Sequence, residues 1–183
     1  MRRTALVLVM LFMAPSLLGV VAETPDTIAL DGDMSDWPQD SLQTTDSNAV
    51  TFRMTWDESH LFIGWSGTDW ASEGEGADLF IYLNSSEGGT PLSKDWNLAQ
   101  TLPFAADHAF VLEDSTYSSL QMYNGSAWVE NPQSAATWIG HSENQNTEVG
   151  IPWDAIGNPN HVGVIVWAQW QDAGNVWTSF PLD

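Results

Sequence analysis

Two groups of residues in this chain have types and spacings suited to chemistry: tryptophans set in polar loops, and closely spaced aspartates. The chain carries eleven tryptophans. Three stand beside carboxylates or amides: Trp70 in Thr68-Asp69-Trp70, Trp96 in Lys94-Asp95-Trp96-Asn97, and Trp170 in Gln169-Trp170-Gln171-Asp172. An indole face matches the C–H side of a sugar ring, and carboxylates and amides hydrogen-bond its hydroxyls. Trp70 comes from the first half of the chain and Trp170 from the last hairpin, which suits a two-sided clamp with Trp96 as a third platform. Asp69, Asp95, Gln169, Gln171 and Asp172 are then the polar partners. The competing reading is that each of these indoles plugs one end of the core. Trp37, Trp56, Trp65, Trp153 and Trp177 have apolar neighbours in strands or short turns and read as core. Trp128, Trp138 and Trp167 fit either face.

Asp31, Asp33 and Asp36 place three carboxylates within six residues around Gly32. Hard oxygen ligands at that density suit calcium, although no glutamate follows at the twelfth position as in an EF-hand loop. The alternative is turn chemistry, with Asp31 capping the turn and the others facing solvent. Asp57, Glu58, Asp69 and Asp78 could add ligands from neighbouring loops. Catalytic patterns are weak. The histidines His60, His108, His141 and His161 are scattered, with none in H-x-x-x-H spacing. There is no nucleophile elbow, phosphate-binding glycine loop or thiol. A pair of carboxylates is a certainty in a chain this acidic and signals no glycosidase. The expectation is a protein that is not an enzyme.

The elements that must position these residues follow an N-terminal address. Met1-Arg2-Arg3, the apolar run Ala5 to Met13, and small residues up to Ala22 have the layout of a secretory signal peptide, 1–22. An uncleaved anchor is the alternative, since Thr4 to Ala22 approaches the roughly 20 residues that span a bilayer. Pro15 and the cleavage-like site argue against it. One domain, 23–183, is expected to be secreted or held at the cell surface, with no membrane insertion after signal cleavage. No cysteine is present, so disulfides and thiolate metal sites are excluded. Four Lys and Arg face twenty-four Asp and Glu. Cleavage after Ala22 would remove Arg2 and Arg3, leaving Arg53 and Lys94 and a net charge of −22. Such a surface repels nucleic acid, anionic lipid and strongly anionic polysaccharide, and it suits salty surroundings that screen self-repulsion.

The pattern within the domain is of strands. Val50, Phe52, Met54 and Trp56 alternate with polar residues, and His60 to Ser66 follows across a three-residue turn as a hairpin partner. Ala77 to Leu83 is apolar on both faces except at Asp78, which predicts a central strand. Further strands are predicted over Asp107 to Leu112, Thr116 to Tyr123, Ala127 to Val129, Ala135 to Gly140, Thr147 to Ile151, His161 to Trp170 and Val176 to Pro181. One short helical turn is predicted at Pro152 to Gly157, where Gly157 stops it. The fold class is all-β: an antiparallel, jelly-roll-like β-sandwich of about nine to eleven strands with that single helical turn.

Four blocks in this order resemble the family-nine carbohydrate-binding modules and related DOMON-like β-sandwiches. They are Ile28 to Trp37 (IALDGDMSDW), Val50 to Gly64 with its WDESHLFIG hairpin, Asp69 with Asp78 to Asn84 (DLFIYLN), and Glu148 to Ile156 (EVGIPWDAI). Together they span nearly the whole domain. The resemblance implies an opening strand before the D-G turn, a sugar held between tryptophans at a chain end, and structural calcium, here at Asp31, Asp33 and Asp36. The near absence of cationic side chains departs from the family's polar sugar contacts. The implied function is a secreted, non-catalytic, lectin-like module whose partner is the end of a glycan or polysaccharide, and a monomer is expected. Two alternatives stay open. Some DOMON-like sandwiches hold a b-type haem between the sheets in an electron-transfer role, and Met54, Met122 and His108 are available ligands, each also readable as core. The other alternative is a structural or adhesive cell-surface module with no small ligand. Asn84-Ser85-Ser86 and Asn124-Gly125-Ser126 are glycosylation sequons that fit any surface role.

Overall fold

The computed structural model describes residues 28–43, 50–67, 77–94, 99–114, 116–132, 136–141, 145–171 and 175–181. These residues form an all-β fold with thirteen strands and three 3-10 turns. The strands are β1 (Leu42–Gln43), β2 (Thr51–Trp56), β3 (His60–Ser66), β4 (Ala77–Asn84), β5 (Thr90–Leu92), β6 (Thr101–Ala106) and β7 (His108–Asp114). They continue with β8 (Tyr117–Tyr123), β9 (Trp128–Glu130), β10 (Thr137–His141), β11 (Asn146–Pro152), β12 (Gly163–Trp170) and β13 (Val176–Phe180). Two antiparallel sheets carry most of them, in the orders β1-β2-β3-β11-β10 and β13-β12-β4-β7-β8-β9, and β5 and β6 pair as a separate ribbon.

The predicted sandwich class holds, with differences of detail. The strand β4 is interior to its sheet, between β12 and β7, as its two-sided apolar run requires. The additional strands are β1, β5 and β6. β1 and β5 are only two and three residues long, and Pro103 within β6 reads as a breaker, yet a two-stranded ribbon tolerates it. The opening strand implied for Ile28 to Leu30 does not form. Single helical turns occur at Met34–Asp36, Gln39–Ser41 and Asp154–Ile156 rather than at one place, and Gly157 ends the last with φ +83°.

Alternation sends one set of side chains between the two main sheets. Phe52, Leu61, Ile63 and Trp65 from one sheet meet Leu79, Ile81, Leu83, Phe110, Val166 and Phe180 from the other. The rings of Phe52 and Phe180 stack at 4.7 Å. The outer face of the six-stranded sheet is apolar as well. Phe80, Tyr82, Ala109, Val111, Ile165 and Trp167 form a second buried cluster with Leu102 and Ala106 of the ribbon. The Tyr82 hydroxyl accepts from the Lys94 amide at 3.0 Å, and burial raises its pKa well above the usual phenol value. The domain is therefore layered ribbon, sheet, sheet and, on the far side, an arm.

That arm is residues 28–41. Cross-strand register aligns Arg53, Gly64 and Glu148 in one row on the outer face of the five-stranded sheet. The missing side chain at Gly64 leaves a slot for the Trp37 ring: a Cβ there would lie 3.0 Å from two of its carbons. Glu148, fully buried, accepts from Trp37 Nε1 at 2.7 Å, from the Asp31 amide at 3.0 Å and from the Gly32 amide. Burial pushes its carboxyl above the ordinary value, while these donors and the nearby Asp36 act in opposing directions. Arg53 Nη1 donates to the Pro38 carbonyl and Ser41 Oγ, each at 3.3 Å. A charged residue on either side of one glycine thus clasps the arm against the sheet.

Candidate functional site

A pair of partly exposed indoles that includes the predicted Trp170 lies where β12 ends and β13 begins. Register places Thr178 opposite Ala168 but Val176 opposite Gln169, so Trp177 is the extra residue of a β-bulge. The bulge brings Trp177 against Trp170, with ring centroids 5.3 Å apart and planes tilted by 36°. Both indoles are half-buried and pack on the end of the inter-sheet core. The Trp170 amide donates to the Asn175 carbonyl at 2.9 Å, closing the hairpin that carries the pair.

On the other face of the same sheet, where Asp78 and Gln169 stand in phase with Phe80 and Trp167, lies a polar group. Gln171 is exposed, and its Nε2 donates to Asp78 Oδ1 at 2.6 Å. Asp78 is buried on β4, opposite Gln169 on β12. Glu113 is exposed at the end of β7, and its pKa is raised by partial desolvation and then by the charges of Asp78 and Asp114. The indole pair offers apolar ring faces suited to stacking on a polyhydroxylated ring, and the amide and carboxylates stand across the sheet from it.

Of the residues expected at the site, Trp170, Gln169 and Gln171 are contiguous here, but their roles differ. Gln171 reaches solvent, whereas Gln169 is fully buried and supports the strand from behind. Trp70, Trp96, Asp69, Asp95 and Asp172 lie outside the described residues. The partner of Trp170 among the described residues is Trp177, expected in the core from its apolar neighbours and found packed against it, although strict alternation from Phe180 would put it on the opposite face. Only the bulge between Ala168 and Gln169 turns it onto the face of Trp170, and a bulge has no dependable sequence signal. Trp37, Trp65 and Trp153 are buried as expected, and Trp56 packs against the core. Trp167 is buried on the outer face of the six-stranded sheet, within the cluster that includes the ribbon, and Trp128 is partly buried against that cluster.

The three aspartates of the arm each accept from backbone amides. Asp31 Oδ1 takes Asp33 N at 2.9 Å, Asp33 Oδ1 takes Ser35 N at 2.9 Å, and Asp36 Oδ2 takes Ala29 N at 2.7 Å. These are turn and cap bonds. Among the described residues, no three acidic or histidine side chains converge as a metal ligand set.

A second polar cluster lies at the opposite end of β4. Asp107 Oδ1 accepts the Ser85 amide at 2.6 Å, and its Oδ2 accepts Ser85 Oγ at 2.7 Å and Ser86 Oγ at 2.8 Å. His108 Nδ1 sits 2.9 Å from Asp107 Oδ2 and 3.1 Å from Ser85 Oγ. Burial opposes ionisation of Asp107, but the His108, Ser85 and Ser86 hydrogen bonds outweigh it and hold its pKa down to about 2. The residue types are those of a catalytic triad, yet serine and aspartate meet the same ring nitrogen. A relay needs them on opposite nitrogens, so this cluster fastens a turn. His108 also faces Met122 as its cross-strand partner. Such neighbours project side by side from one sheet face, whereas two axial haem ligands must approach iron from opposite sides. Met54 is buried within the packed inter-sheet core.

No family model matches the chain, and no curated protein or solved structure matches it either.

Proposed function

We propose that this chain is an exported, non-catalytic carbohydrate-binding module of the kind its sequence resembles, the family-nine and DOMON-like sandwiches. A sugar ring stacks on the Trp170–Trp177 pair. The observation that carries the reading is the half-buried, tilted indole pair at one end of the sandwich. Stacking on indole is worth on the order of 1 kcal/mol beyond the area it buries, so a single site of this kind binds weakly. The acidic surroundings favour uncharged rings over uronates or sulfated sugars. In this reading the carboxylates Asp31, Asp33 and Asp36 build the arm and do not touch the sugar.

The test is a screen of soluble oligosaccharides and a glycan array, read by intrinsic tryptophan fluorescence and calorimetry. Trp170→Ala and Trp177→Ala are the site variants, with folding checked by circular dichroism. Each is expected to weaken binding about tenfold or more, which corresponds to about 1.4 kcal/mol. No binding to any neutral or acidic glycan, or binding that both variants retain at full strength, overturns the proposal.

A further inference from the structure

The two glycosylation sequons occupy different structural settings, and from that difference we propose that Asn124 is an N-glycan acceptor in the folded protein and Asn84 is not. An acceptor asparagine must present its side-chain amide to a transferase, with the hydroxyl two residues on beside it and the backbone free to bend into the enzyme. Asn124-Gly125-Ser126 is the exposed tip of the hairpin joining β8 and β9. Gly125 has φ +94°, and a Cβ there would meet nothing within 4 Å, so solvent surrounds the tip. Asn124 Oδ1 accepts from the Ser126 amide at 3.0 Å, Ser126 Oγ at 2.9 Å and the Ala127 amide at 3.0 Å. This Asx turn already sets the serine hydroxyl against the asparagine side chain, and nothing among the described residues accepts from Nδ2.

Asn84-Ser85-Ser86 is built differently. Asn84 is the last residue of the interior strand β4, paired with Gly163 of β12 and half-buried. Its sequon hydroxyl, Ser86 Oγ, donates to Asp107 Oδ2, as does Ser85 Oγ, and Asp107 also binds the Ser85 amide. Bending this segment into an enzyme would peel the end of a central strand from its neighbour and break three bonds to one carboxylate. The transfer forms a bond from Asn124 Nδ2 to the anomeric carbon of a lipid-diphosphate-linked oligosaccharide. The bond from that carbon to diphosphate breaks, and the lipid diphosphate leaves with the amide proton going to solvent.

The experiment treats the purified folded chain with a single-subunit oligosaccharyltransferase and a lipid-linked oligosaccharide, and maps occupancy by mass spectrometry of proteolytic fragments. Synthetic peptides spanning 81–89 and 121–129 serve as substrates that lack tertiary structure. Both peptides are expected to be modified, and the folded chain only at Asn124, with Asn124→Gln abolishing the added mass and Asn84→Gln leaving it. Modification of the folded chain at Asn84 to a similar extent overturns the proposal. So does an unmodified Asn124 in folded protein when the 121–129 peptide is a substrate; a 121–129 peptide that is itself refused overturns Asn124 as an acceptor.

Discussion

Asp107 and Glu148 are both buried carboxylates, and their surroundings move them in opposite directions. Asp107 accepts from two serine hydroxyls and an amide with His108 alongside, and its pKa falls to about 2. In the unfolded chain it returns to the ordinary value of 3.8. Its contribution to folding is complete above that value and is lost as pH falls towards about 2. The size expected is about 1–2 kcal/mol, reduced from that of a dry pair because the cluster lies near solvent. Glu148 works the other way. Its raised pKa lets the folded chain hold a proton at a pH where the unfolded chain has released it, so acid favours folding at this residue. The expected outcome is an acid limb in urea unfolding between about pH 4 and pH 2 that Asp107→Asn flattens. A limb of equal steepness in the variant would assign acid sensitivity elsewhere. No such behaviour could be read from the sequence, since Asp107 and Ser85 stand twenty-two positions apart and meet only when β4 and β7 pair.

The arm of residues 28–41 shows how an element with little regular structure of its own is held by the sheet beneath it. Its D-G-D-M-S-D-W sequence has the look of a ligand loop. In the fold its carboxylates cap the arm's own amides, and the glutamate that binds the arm comes from β11, more than a hundred residues later. Glu148→Ala would leave the Trp37 indole N–H and two backbone amides without acceptors, a loss of about 2–4 kcal/mol in urea unfolding. Gly64→Ala would press a methyl group against a ring fixed at Nε1 by Glu148, and costs about 1–2 kcal/mol. The two effects are expected to be non-additive in the double variant, because both act by displacing Trp37. Strict additivity would mean that the arm is not held as one unit. Addition of chelator is expected to leave the melting temperature unchanged, and a fall would indicate a cation at the arm despite the bonds described.

At the scale of the whole molecule, charge and packing set the terms. If residues 1–22 are removed, twenty-four acids face Arg53 and Lys94, and Arg53 is bound up in holding the arm. Self-repulsion on that scale weakens as the Debye length shrinks from about 10 Å at 0.1 M salt to about 3 Å at 1 M. The melting temperature is expected to rise by about 5 °C or more over that range, since about 1 kcal/mol corresponds to roughly 2–4 °C for a chain of this size. A temperature that does not move would show that the acids are already compensated. The sequence by itself determined the all-β class, the hairpin of β2 and β3 and the central place of β4, because alternation and two-sided apolar runs are local patterns that any sandwich must satisfy. It also determined the acidity, the absence of thiol chemistry and the burial of Trp37, Trp65 and Trp153. Only the tertiary structure decided that Trp177 joins Trp170, because a single bulged residue reverses the face that alternation assigns. It likewise decided that Asp31, Asp33 and Asp36 cap a turn and that Glu148 and Arg53 clasp it. Those contacts depend on strand register, which aligns residues far apart in the chain and leaves no mark on the residues nearby.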